Sequence, residues 1–190
     1  MMKRKFLLSV TALALCAALL AGCGGSSSST ASSAQSTAPA SSADAGSGAR
    51  NAENGTVDLD AIVSQLLETN PISNQFEIAA MNIEYDFGLA AEDVTAYKGV
   101  RSNDNGDAGL VLVIQPAAGK SEAICEQLQT YKQDQVAFYG NYAEFGQAQS
   151  NVENAVISGR DDLVVMVIAS NESTGDISGA VDSVMDQYAQ

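Results

Sequence analysis

Histidine and tryptophan are absent from the chain, and cysteine, proline and basic residues are scarce. Each shortage removes a class of chemistry. Without histidine, neither a Ser-His-Asp nor a Cys-His nucleophile can be assembled. Zinc sites of the ordinary His and Cys type are excluded as well, because Cys16 and Cys23 lie in the N-terminal leader region and leave Cys125 alone. A single thiol cannot make an internal disulfide. With Ile124 and Leu128 as neighbours, Cys125 reads as a small hydrophobe near a core. Phosphate-loop chemistry is missing too: Gly119-Lys120-Ser121 lacks the glycine five positions before Gly119, where Ile114 stands. Asn103-Asp104-Asn105-Gly106-Asp107 has a faint calcium-loop look, but the twelfth position in that register is Leu112, where a bidentate glutamate is needed. No metal and no cofactor is expected.

What the chain does have is acid. Of the nine Lys and Arg residues, three (Lys3, Arg4, Lys5) precede Cys23, whereas all 23 Asp and Glu residues follow it. The part after Cys23 therefore carries six positive and 23 negative charges, a net −17. Such a surface repels nucleic acid phosphates and anionic headgroups, so no nucleic acid partner is expected.

The N-terminus reads as an address. Lys3-Arg4-Lys5 is a positive cluster, and Phe6 to Leu20 is an apolar run shorter than the ~20 residues of a membrane span. Leu20-Ala21-Gly22-Cys23 follows. These four residues resemble the bacterial lipobox. The resemblance implies that residues 1–22 are a signal peptide, that Cys23 receives a diacylglyceryl group, and that the chain is held on the extracytoplasmic face of the cell membrane. Two acyl chains, at ~0.8 kcal/mol per buried CH₂, make a stable anchor where one alone binds marginally.

Residues 23–56 form the next segment, rich in Ser, Ala and Gly and without large apolar residues. Such a stretch cannot offset its own chain entropy and is expected to be a disordered tether. The 32 residues from Gly24 to Gly55 within it, at ~5–6 Å × √n, reach roughly 30 Å.

Residues 57–190 carry the patterns of one α+β domain. Leu59, Ile62, Val63, Leu66 and Leu67 trace a helical face over 57–68, with Asp58 placed to cap it. A second helix is expected from Lys120 to about Phe138, and a third over 176–188 with Ile177, Ala180, Val181, Val184, Met185 and Tyr188 in a stripe. Residues 76–93 give a weak pattern, an extended piece near Phe76 and a helical turn ended by Gly88. Two hairpins stand out. One joins 94–102 to 109–115 through Asn105-Gly106, a tight-turn pair. The other joins 152–158 to 163–169 around Gly159-Arg160-Asp161-Asp162. The expected fold is a four-stranded antiparallel sheet with about three helices packed on one face.

Lipobox, Ser-rich tether and this element order, with Val152-Glu153-Asn154-Ala155-Val156-Ile157 leading into Leu163–Ile168, resemble a family of Gram-positive lipoproteins whose shared domain has no known function. The resemblance covers about residues 59–189. The family often shows Tyr-Gly-Ile-Asp-Pro before its first strand and Gly-Asn-Tyr in its second hairpin; this chain has Phe87-Gly88-Leu89-Ala90-Ala91 and Gly159-Arg160-Asp161-Asp162. No catalytic residue comes with the resemblance.

Candidate chemistry is sparse. Glu84/Asp86, Glu92/Asp93 and Asp161/Asp162 are carboxylate pairs of the kind that can do acid–base work on a cell-wall glycan. Tyr139, Tyr142 and Phe145 form an aromatic segment that either contacts a ligand or partner or folds back on the core. Tyr139, Tyr142, Phe145, Asp161 and Asp162 are thus the candidate contact residues. The expectation is a non-catalytic binding module with an envelope protein or wall component as partner. The alternatives are a small-ligand or transporter-accessory lipoprotein and a carboxylate hydrolase.

Overall fold

A computed structural model describes residues 57–190. The signal peptide 1–22, the lipobox Leu20-Ala21-Gly22-Cys23 and the tether 23–56 lie outside the described residues. In chain order the elements are α1 (Leu59–Thr69), β1 (Gln75–Glu77), α2 (Ala80–Tyr85), β2 (Val94–Ser102), β3 (Leu110–Pro116), α3 (Ser121–Gly140), α4 (Gly146–Glu153), β4 (Val156–Arg160), β5 (Leu163–Ile168) and α5 (Ile177–Tyr188). Short 3₁₀ turns at Ala91–Asp93 and Ala143–Phe145 precede β2 and α4.

The strands β3 and β5 decide the architecture. Every residue of both is buried. Successive side chains point to opposite faces, so a strand that is apolar throughout needs cover on both sides. Leu110, Leu112 and Ile114 join Val164, Met166 and Ile168 in one cluster, against Ile124 and Leu128 of α3, Ala148 and Val152 of α4, and Ile83 of α2. Val111 and Val113 join Leu163, Val165 and Val167 in a second cluster, against Leu59, Ile62, Val63 and Leu66 of α1 and Val181, Val184 and Met185 of α5. Each fully buried aliphatic side chain contributes about 1.5–3 kcal/mol.

The sheet runs in the order β1-β2-β3-β5-β4, antiparallel at each pairing. The fold is therefore α+β with an antiparallel sheet, but the expected count of four strands and three helices on one face is corrected to five strands, five helices and helices on both faces. The fifth strand, β1, is three residues at the edge, with Phe76 opposite Arg101. The helix α4 was missed because it has two buried apolar residues, Ala148 and Val152, and the rest of its inward face is Asn151. Val152 accordingly lies in the last turn of a helix, and the strand expected from 152 begins at Val156.

The first and last helices start where their caps are. Asp58 Oδ1 accepts the Ala61 N–H at 3.0 Å, and Asp176 Oδ1 accepts the Gly179 N–H at 3.1 Å. Each satisfies one N–H that the first turn leaves unpaired. Among the described residues no helix is long and apolar enough to cross a membrane.

Candidate functional site

The helix α3 is longer than the sheet beneath it. Twenty residues span about 30 Å at 1.5 Å each, whereas the seven of β3 span about 23 Å. Its start lies at the end of the sheet where Gly159 faces Cys125 and Ser121. Its last turns overhang the other end, where Leu110 pairs with Ile168. There Tyr131, Gln135, Phe138 and Tyr139, spaced i, i+4, i+7 and i+8 on one helical face, look across at the β2–β3 loop.

Between them is a cleft of about 390 Å³. One wall is Tyr131, Gln135, Phe138 and Tyr139 with Phe145 from the 3₁₀ turn; the other is the polar loop from Ser102 to Gly109, with Arg101, Leu110 and Ile168 below. The aromatic wall is braced by its own contacts. Ring centroids lie 5.2 Å apart for Phe138–Tyr139, 5.9 Å for Tyr139–Phe145, 5.4 Å for Tyr142–Phe145 and 5.8 Å for Phe138–Tyr142, a closed circuit of four rings. Such pairs contribute about 0.5–1.5 kcal/mol each beyond area burial. Phe138 and Tyr142 remain 50% and 45% exposed, so the wall is not wholly consumed by packing.

The polar wall is held rigidly. Asp107, 8% exposed, accepts the backbone N–H groups of Gly109 and Asn171 through Oδ1, each at 3.0 Å. Asn171 Nδ2 in turn donates to the Gly106 carbonyl at 3.1 Å. Gly106 adopts φ +80°, and the Phe145 ring lies 3.0 Å from where its Cβ would stand. A larger residue would be strained there twice over. The Tyr139 hydroxyl donates to the Asp107 carbonyl at 3.5 Å, tying the walls together.

Burial pushes the Tyr131 phenol up to about 12, with the nearby Arg101 charge opposing it. Tyr139 is raised for the same reason, reinforced by Asp107. Both phenols keep their protons at neutral pH and present O–H groups as donors. Arg101 is engaged: Nη1 pairs with Asp86 Oδ2 at 2.9 Å, and its guanidinium lies 4.9 Å from the Phe76 ring centroid. Among the described residues no cluster of three or more Asp, Glu, His or Cys is disposed to hold a metal ion.

The candidate contact residues divide. Tyr139 and Phe145 line the cleft, and Tyr142 backs them without lining it. Asp161 and Asp162 are at the far end of the sheet, in the β4–β5 turn, where Asp162 Oδ1 accepts the Gln190 N–H at 2.9 Å. The other carboxylate pairs are also apart. Asp86 is bonded to Arg101 and Asn82, and Asp93 pairs with Lys120 at 2.8 Å. Sequence reasoning missed Tyr131 and Gln135 as wall residues, although their spacing to Tyr139 was legible. Asp107 and Asn171 carried no local signal, because they bond each other across 64 residues of chain, and Arg101 carried none because its partner Asp86 lies 15 residues away on another element.

Two other hollows are less organised. One of about 510 Å³ lies between the end of α1 and the start of α5, with no aromatic in its lining. The other, about 370 Å³ beside α1 and β1, is bridged by Lys98 Nζ, 3.4 Å from Asp60 and 2.7 Å from Glu77.

Comparison with known families adds one match. Residues 69–169 fit the family described as Domain of unknown function (DUF4358), just over half of the chain. The chain belongs to this family. The DUF4358 stretch holds the whole sheet, α2, α3 and α4, and every residue lining the 390 Å³ cleft. The α1 and α5 layer flanks it: α1 ends at Thr69 and α5 begins at Ile177. No curated protein and no solved structure matches the chain.

Proposed function

We propose that this protein is a lipid-anchored, non-catalytic binding module of the cell envelope, of the Gram-positive lipoprotein type, that takes its ligand in the cleft between α3 and the β2–β3 loop. The anchor rests on Leu20-Ala21-Gly22-Cys23 behind a basic cluster and an apolar run. The location follows from it: the domain is extracytoplasmic, carried on the 23–56 tether, and its partner is an envelope or wall component. The observation that carries the binding reading is a braced aromatic wall opposite a braced polar loop, joined by the Tyr139–Asp107 bond and leaving a cleft of about 390 Å³ between them. Ligand sites have this form, concave and preformed with a few placed polar groups. The non-catalytic reading is supported by the state of the carboxylates. Asp86, Asp93 and Asp107 are engaged in ion pairs or hydrogen bonds away from one another.

Two measurements on the full chain test this. Mass spectrometry of the mature protein should find a diacylglyceryl adduct on Cys23, and Cys23→Ser should release the protein into the medium. In the Cys23→Ser background, which removes the lipid, the protein should still co-sediment with isolated wall fragments, and adding Tyr139→Ala should reduce the bound fraction at least fivefold. Equal co-sedimentation of the two forms overturns the cleft as the binding site. An unmodified Cys23 thiol overturns the anchor.

A further inference from the structure

The polar side chains of the cleft that make no hydrogen bond are all neutral, and this narrows its ligand. We infer that it binds an uncharged carbohydrate, a short stretch of sugar rings, an inference that rests on the cleft being the binding site.

The charged side chains lining it, Arg101, Asp104 and Asp107, are each already engaged. The Arg101 guanidinium is held by Asp86 and by the face of Phe76. Asp107 spends Oδ1 on two backbone N–H groups, and Asp104 Oδ1 accepts from Asn74 Nδ2 at 2.7 Å. An anionic ligand would meet two carboxylates, Asp104 and Asp107, against the single Arg101 cation that Asp86 already pairs, and a metal ion would find no cluster of three or more ligands among the described residues. Transfer of an unpaired charge into such a site is costly.

The groups left over are neutral and two-faced. The amides of Gln135 and Asn105 make no side-chain hydrogen bond to the described residues, nor does the Tyr131 hydroxyl, and none of these atoms is a buried orphan. Each can both donate and accept. A ligand hydroxyl has the same dual character, and a site built to bond hydroxyls discriminates strongly against ligands that lack them. Sugar rings also present C–H faces, which an aromatic surface such as Phe138 and Tyr139 covers. A volume of about 390 Å³ falls at the small end of the ~300–1,000 Å³ of small-molecule sites, too small for a folded partner.

The test is a titration of the full chain with chitotriose, maltotriose and cellotriose, and in parallel with trialanine, choline and inorganic phosphate. Because tryptophan is absent, emission comes from the six tyrosines, of which Tyr131 and Tyr139 line the cleft, and ligand-observed NMR gives an independent readout. At least one trisaccharide should saturate, with affinity lowered tenfold or more in Gln135→Ala and Tyr139→Ala, while the other three probes do not saturate. Asn105→Ala, on an exposed loop position, should weaken binding with an unchanged unfolding midpoint, which separates a lost contact from a lost fold. If trialanine, choline or phosphate saturates instead and the same variants abolish it, the carbohydrate inference falls and the cleft stands. If a trisaccharide binds equally to all variants, both fall. If none of the three sugars saturates, the inference falls, and wall co-sedimentation decides the cleft separately.

Discussion

The side-chain oxygen of Asn70 accepts the backbone N–H of Ser170 at 2.8 Å, across one hundred positions of sequence. The same side chain donates through Nδ2 to the Ile168 carbonyl at 2.9 Å. Asn70 is fully buried at the end of α1, and these two bonds stitch that helix to the exit of the central strand β5. The Ser170 hydroxyl donates to the Pro71 carbonyl at 2.6 Å, completing the join.

Asn70→Ala leaves a buried carbonyl and a buried N–H without partners. A buried unsatisfied group costs about 1–3 kcal/mol, so the expected loss is about 2–4 kcal/mol, read as a lower urea midpoint at unchanged slope. A loss below about 0.5 kcal/mol would show that water replaces the amide there.

The cleft's polar wall depends on Asp107. Asp107→Ala unpairs the N–H groups of Gly109 and Asn171 and should cost about 1–3 kcal/mol by the same reasoning. Amide exchange should speed up across 103–109 and leave β5 unchanged, because both N–H groups that Asp107 holds lie outside the sheet. Uniform acceleration through the sheet would contradict this local role.

At the other end of the sheet, Gly159 lies against α3. A Cβ at Gly159 would stand 2.5 Å from Cys125 Sγ and 3.0 Å from Ser121 Oγ. Gly159→Ala should therefore destabilise by about 1–3 kcal/mol through overpacking. Cys125→Ala removes the sulfur that clashes, so the double variant should recover part of that loss, with a coupling of roughly 0.5–3 kcal/mol. Additive single effects would mean that the clash is relieved elsewhere.

Burial also raises the Cys125 thiol, with Glu122 adding to the effect. Less thiolate at neutral pH means slow alkylation. The folded protein should react with iodoacetamide far more slowly at this position than the chain unfolded in urea, and equal rates would contradict the burial.

Alkaline pH should find Tyr131. Its folded pKa is about 12 against an ordinary 10.0. Below pH 10 both folded and unfolded chains hold the proton. Between about 10 and 12 the unfolded chain releases it first, so stability falls as pH rises through that window. The loss is on the order of 2 kcal/mol. Tyr131→Phe should flatten the stability curve there and remove the last step of the phenolate absorbance titration. A curve identical to wild type would show the phenol to be solvated.

Local pattern carried much of the fold. The stripes of α1 and α5 and the Asp58 cap of α1 were readable because a helix buries a face at a fixed spacing and leaves its first N–H groups to a nearby side chain. The strands β3 and β5 were readable as continuous apolar runs. The same runs held a message that the expected one-sided cover contradicted, since a strand such as Leu110-Val111-Leu112-Val113-Ile114 has no polar face to give to water. Short elements were less legible. Three residues of β1 and the two apolar contacts of α4 are too few for a period to show.

By itself the sequence determined the chemistry that is excluded, through its missing histidine, and the identity of the long elements, through spacing that any ten residues reveal. It also placed three aromatics in one segment, two of which line the cleft. Tertiary structure alone decided that β3 and β5 lie side by side, that helices cover both faces, and that Tyr131 and Gln135 face a loop braced by Asp107 and Asn171. The reason is range. Periodicity is a property of neighbours in the chain, whereas a cleft is made by residues whose proximity exists only after distant strands have paired, as β3 and β5 do to bring Leu110 and Ile168, 58 positions apart, together at its floor.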